Sequence, residues 1–181
     1  MTNILPKEVL DFWFSDTSKE RWFNSTNEFD LIIKSKFENL WESAAAGELG
    51  YWKNDAESAL ALVIVLDQFP LNMFRGKTKS FTTESDAIEV AHYAITNNFD
   101  KNLTKIKLPF LYMPLMHSEN LNDQILSVKL FKKAKLESNL RFAEHHREII
   151  KQFGRFPHRN IILGRTSTNE ELEYLATPKS I

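Results

Sequence analysis

The stretch Asp55 to Phe69 constrains the fold most. From Ala59 to Leu66 the run Ala-Leu-Ala-Leu-Val-Ile-Val-Leu contains no polar residue, and a helix that is apolar all round has to be packed on several sides. The run is far short of the roughly 20 apolar residues that span a bilayer, so it predicts a buried core helix ended by Pro70. Asp67 follows Leu60 by seven positions and Val63 by four. That places its carboxylate on a core-facing side of the helix, where it needs a partner. Asn72 and Arg75 stand in the segment that follows.

Around this helix the apolar residues recur at three and four positions. Val9, Phe12 and Trp13 start the pattern, with Pro6 suited to the first helical turn. A second helix is predicted from Asn27 to Ala46, its stripe made by Phe29, Ile32, Ile33, Phe37, Leu40, Trp41 and Ala44. Thr83 reads as an N-cap for a helix carrying Ala87, Ile88, Ala91, Ala94 and Ile95. Leu108 to Met116 reads as a short helix kinked at Pro114. Asn120 caps a helix to Lys135 with Leu121, Ile125, Val128 and Phe131 facing inward. The next helix, ending near Phe153, has Phe142, Ile149 and Phe153 on one face with His146 between them. Overlapping capping boxes at Ser167–Glu170 and Thr168–Glu171 open a final short helix holding Leu172 and Leu175. No run alternates in the manner of strands. The expectation is one all-α domain over residues 1–181, with about eight helices stacked as antiparallel pairs in a tetratricopeptide-like arrangement.

Composition narrows the function classes. A formal charge of −1 from 23 basic and 24 acidic residues provides no field to draw nucleic acid or an anionic membrane. The absence of cysteine excludes a disulfide scaffold, a thiolate nucleophile and a thiolate-ligated zinc. Met1 to Pro6 lacks the pattern of a secretory signal, which makes the cytoplasm the expected location. Fourteen phenylalanines and four tryptophans against five glycines describe an aromatic-rich core with few sharp turns.

Polar chemistry is concentrated in three places. Gly154 is free to end a helix in the left-handed conformation and Pro157 pushes Phe156 out of it, so Phe153 to Gly164 is a shaped loop carrying Arg155, His158, Arg159 and Asn160. The other two are Asp67-Gln68 and His117-Ser118-Glu119. Two readings follow. In the first, Asp67 pairs with Arg75 or Arg155, Glu119 pairs with an arginine of the loop, and the pairs fix how helices dock. In the second, so many histidines, carboxylates and arginines serve a small anionic ligand bearing phosphate or carboxylate. There Arg75, Arg155 and Arg159 hold the anion by bidentate forks, while His117 or His158, beside Glu119 or Asp67, moves protons. Metal binding lacks a spaced ligand motif, and Ser118 lacks a nucleophile elbow and reads as a helix cap. No phosphate-cradling glycine loop or dinucleotide fingerprint is present, so no cofactor is implied. Stacked helix pairs also suit a protein or peptide partner, with Trp22, Tyr51 or Trp52 as anchors.

Asp67-Gln-Phe-Pro70, Phe74-Arg-Gly76, Tyr112-Met-Pro-Leu-Met-His-Ser-Glu119 and Phe153-Gly-Arg-Phe-Pro-His-Arg-Asn160 together give a chain that resembles the bacterial DUF924 family. The likeness runs from Val9-Leu-Asp-Phe-Trp-Phe14 to Leu163-Gly-Arg-Thr-Ser-Thr168. It implies a tetratricopeptide-like helical fold and no settled activity. Polar positions matching the family pattern are Asp67, Gln68, Asn72, Arg75, His117, Glu119, Gln124, His146, Arg155, His158, Arg159 and Asn160. Leu71 stands where the family usually has arginine, which tells against a mechanism needing a cation there.

Overall fold

In a computed structural model, residues 4–177 are described. Their regular structure is entirely helical. The α-helical segments are α1 (Pro6–Trp13), α2 (Asp16–Lys19), α3 (Asn27–Ala45), α4 (Ala56–Val63), α5 (Phe69–Met73), α6 (Glu84–Thr96), α7 (Leu108–His117), α8 (Leu121–Lys133), α9 (Glu137–Phe153) and α10 (Asn169–Ala176). Two compact units are distinguished, Met1–Pro114 and Leu115–Ile181.

In the first unit α4 is the centre. It packs against α1 and α6, and α3 packs against α5. Trp13, Phe37, Phe69 and Phe110 are fully buried. Phe69 stacks on Phe37 at 4.5 Å between ring centroids and meets Trp13 edge-on at 5.7 Å. The Trp22 indole N–H donates to the Trp13 carbonyl at 2.9 Å, holding the Trp22 ring near Phe110. Trp52, expected as an exposed anchor, is buried; Tyr51 is exposed.

The apolar helix does not stop at Pro70. A π-helical turn, Ile64–Gln68, joins α4 to α5, so the helix runs on to Met73. By length and composition Ala56–Met73 is apolar enough to cross a membrane, yet most of it is buried inside the protein, as a core helix is. The proline has a local cost: four residues after Leu66 there is no N–H to meet the Leu66 carbonyl. Thr83 supplies a donor. Its hydroxyl donates to the Leu66 carbonyl at 2.6 Å and accepts from the Trp41 indole N–H at 3.0 Å. Thr83 stands at the N-cap of α6 without capping it through its side chain. The expected cap is instead a buried relay linking α3, the π turn and α6.

In the second unit α8 and α9 form an antiparallel hairpin. Ile149, Ile150 and Phe156 are its buried cluster, with Phe153 and Tyr174 packed against them. Gly154 takes φ +70° and its N–H returns to Ile150, ending α9, as the loop's sequence predicts. Val128 and Phe131 face inward on α8 as expected, but the first half of the helix departs from the expected face. Leu121 and Ile125 are 40% and 51% exposed, while Gln124 and Ser127 are wholly buried. The cause is at the end of α7, where the Gln124 amide donates to the Met116 and Ser118 carbonyls, each at 2.7 Å. Phe142, Leu172 and Leu175 are likewise exposed, and the buried residue of α10 is Glu171.

Replacing Thr83 by valine keeps the shape and removes both relay bonds, leaving the buried Trp41 N–H without its acceptor. A loss of about 2–3 kcal/mol in denaturant unfolding is expected, whereas Thr83→Ser, which retains the hydroxyl, keeps most of the stability.

Candidate functional site

The second unit contains most of the predicted polar residues, arranged as two linked groups. One is a chain of matched charges. Glu119, in the turn between α7 and α8, accepts from the Phe156 N–H at 2.7 Å and from both terminal nitrogens of Arg165, at 2.7 and 2.9 Å. Arg165 Nε donates to Asn160 Oδ1 at 2.9 Å. The Asn160 amide donates onward to Glu171 Oε2 at 3.2 Å and to Ser167 Oγ at 3.0 Å. Arg155 completes the chain with a bidentate contact to Glu171, at 2.7 and 2.9 Å. Glu171 also takes the Thr168 N–H and returns its own N–H to the Thr168 hydroxyl, the capping box read in the sequence.

This chain fixes the charge states of both carboxylates. Burial raises the Glu119 carboxyl, but the Arg165 and Phe156 hydrogen bonds, with the charges of Arg165 and Arg159, outweigh it and hold the group below the ordinary carboxylate range. Glu171 is drawn down to about 2, first by the Arg155 hydrogen bonds and then by the Thr168 N–H. Both are ionised at neutral pH with their oxygens already occupied, which suits a strut better than a proton carrier.

The second group surrounds Phe156. The Arg159 guanidinium lies over the Phe156 ring at 4.5 Å and donates to the His117 carbonyl at 2.9 Å. His146 meets the same ring edge-on at 5.2 Å, and His158 lies 5.5 Å from it. His145 is 6.2 Å from His146. Burial depresses His146 to about 3, and His117, His145, His158 and Arg159 all act on it in the same direction. A neutral imidazole thus sits among groups that are, or can become, positive. Arg159 is buried, His158 exposed and His117 intermediate.

The first unit contains the remaining candidates. Asp67 and Gln68 lie in the π turn, a geometry frequent at functional sites, and both are buried. Asp67 Oδ2 accepts from the Gln68 amide at 2.5 Å, and the same amide lies 3.6 Å from Met113 Sδ. Asn72 donates to the Gln68 carbonyl at 2.9 Å. Arg75 reaches α3. It makes a bidentate contact with Asp30, at 2.8 and 3.1 Å, and the hydrogen bond to Asp30 raises its pKa.

Sequence reasoning missed Asp30, Arg165 and Glu171 as partners. Glu171 had a signal in its capping box, while Arg165 and Asp30 had none beyond their charge. Ser118, read as a helix cap, instead shapes the turn before α8: its hydroxyl accepts the Asn120 N–H and donates to Asp123, and the cap is Asn120. Among the described residues no three histidine, aspartate or glutamate side chains stand together as metal ligands.

A solved structure described as the protein of unknown function ATU0120 from Agrobacterium tumefaciens is similar throughout. It shares 37% sequence identity and a TM-score of 0.89, with 94% of this chain and 96% of that chain covered. No curated protein matches the sequence. A family model described as a bacterial protein of unknown function, DUF924, matches residues 9–179. An all-helical chain matched over nearly its whole length belongs to the DUF924 family.

Proposed function

We propose that the second unit binds a small anion, phosphate- or carboxylate-bearing, at the group around Phe156, with Arg159, His117 and His158 as its contacts and His146 as the neutral wall. One observation carries this reading: four of the chain's five histidines gather with Arg159, and all of the charges acting on His146 have one sign. Such a locus is relieved by negative charge, and an arginine beside imidazoles binds oxyanions well. Arg155 and Arg75 fit less well as anion holders, because each fork already meets a carboxylate. Glu119 is similarly spent on Arg165. The reading therefore stops at binding and does not extend to hydrolysis. A cytoplasmic location fits a chain without cysteine.

The competing proposal is a helical protein-interaction module whose polar groups are architectural. The chain Glu119–Arg165–Asn160–Glu171–Arg155 favours it, since every member holds the segment after α9 in place. Under either reading Arg165→Met strands the Glu119 charge, and a loss of about 2–3 kcal/mol in chemical unfolding is expected.

Histidine ring NMR separates the two. With inorganic phosphate added at constant ionic strength, the anion reading expects the His117 and His158 signals to move and their pKa values to rise. His158→Gln, at an exposed position, should weaken the response without unfolding the chain. Ring signals that respond to phosphate no more than to chloride favour the architectural reading.

Acid should destabilise the protein in a defined window. His146 is depressed in the folded state, so the unfolded chain binds a proton that the native chain refuses below the ordinary value of 6.5. Its stabilising contribution is complete above that value and falls with decreasing pH at up to about 1.4 kcal/mol per pH unit, until the folded value is reached. Glu119 and Glu171, also depressed, add losses of the same sign at lower pH. Unfolding measured at pH 7, 6 and 5 should show the slope, and His146→Gln should flatten it.

A further inference from the structure

Three polar atoms on α8 and α9, which pack against each other, are buried without a hydrogen-bond partner: Gln124 Oε1, Ser127 Oγ and His146 Nδ1. Gln124 and Ser127 are wholly buried and stand one turn apart on α8, on the same side. Gln124 lies ten residues before Ala134 and His146 ten residues after Leu136, the two ends of the hairpin turn, so they are level across the pair. His146 is also one turn beyond Ala143, the fully buried residue on that stretch of α9. The orientation of the Gln124 amide is fixed. Its nitrogen donates to the Met116 and Ser118 carbonyls, and a flipped amide would set oxygen against two oxygens. Gln124 Oε1 is therefore turned away from those two carbonyls, and it is buried.

We infer that these three atoms enclose a binding site for one ordered water molecule inside the second unit. Their chemistry is complementary to water and to little else of that size. An amide oxygen only accepts. The Ser127 hydroxyl has a hydrogen to give. His146, held neutral, presents a lone pair on Nδ1 when its proton is on Nε2. A single water accepts from Ser127 and donates to Gln124 Oε1 and to His146 Nδ1. Every donor then has an acceptor, and three bonds is the usual complement of a buried water. With the proton on Nδ1, the water accepts from the imidazole and donates to Gln124 Oε1 and Ser127 Oγ, which leaves the Ser127 hydrogen without an acceptor. The site thus also sets the His146 tautomer, with Nε2–H left for other contacts. This inference stands whether or not the unit binds an anion.

Ser127→Ala in the full chain tests it. If Ser127 is dry and unpartnered, deleting its hydroxyl removes a buried polar group, adds a better helix former and raises the melting temperature. If it holds the water, the melting temperature falls despite that gain. A fall is expected; a rise overturns the proposal. A high-resolution crystal structure of the wild type should show one water within hydrogen-bond distance of all three atoms, and an empty site would overturn it independently. Long-range proton–nitrogen NMR at neutral pH should place the His146 proton on Nε2. A proton on Nδ1 contradicts the assignment.

Discussion

A carboxylate taken out of water has to be matched, and the second unit is arranged around that requirement. Glu171 is 2% exposed although it lies on the last described helix of the chain. Arg155, Asn160 and the Thr168 N–H converge on it, and Asn160 passes the network to Arg165 and so to Glu119. Those contacts bring residues 119, 155 to 168 and 171 together, although the turn before α8 and the loop after α9 are far apart in sequence. Removing any charged partner leaves another stranded, so the chain of pairs is retained as a whole. Its specificity is geometric: a fork on each of two carboxylates admits one arrangement of the loop.

The first unit solves a backbone problem of the same kind. Pro70 denies Leu66 its ordinary helical donor, and the helix continues because a π turn and the Thr83 hydroxyl absorb the defect. Trp41 completes the relay from α3. A proline that ends a helix in isolation is tolerated here because a side chain from another element meets the carbonyl. Asp67 and Gln68 are carried by that π turn, where the Gln68 amide donates to the carboxylate buried next to a run of aliphatic residues.

Placing the chain in the DUF924 family agrees with the motifs read in the sequence, since the match extends over residues 9–179. The chemistry is less evenly distributed than the motifs imply. Arginines that look available for an anion, Arg75 and Arg155, are engaged with Asp30 and Glu171. Around Phe156 the balance differs, because imidazoles and Arg159 crowd a neutral His146.

Local rules on their own settled the helical character, most element ends and the shape of the loop. The 3.6-residue period, Gly154 at a left-handed position, Asn120 and Thr168 as caps and Pro157 in its turn depend on neighbours a few residues away, which the sequence states directly. Tertiary structure decided which faces point inward and which charges meet. Leu121 and Ile125 satisfy the helical pattern yet face solvent, while Gln124 is drawn in to close the end of α7. Glu119 chose Arg165, Arg75 chose Asp30 and Thr83 left its cap for Leu66. Such pairings are set by distances between elements remote in the chain, and an ordering of residues along a line does not contain those distances.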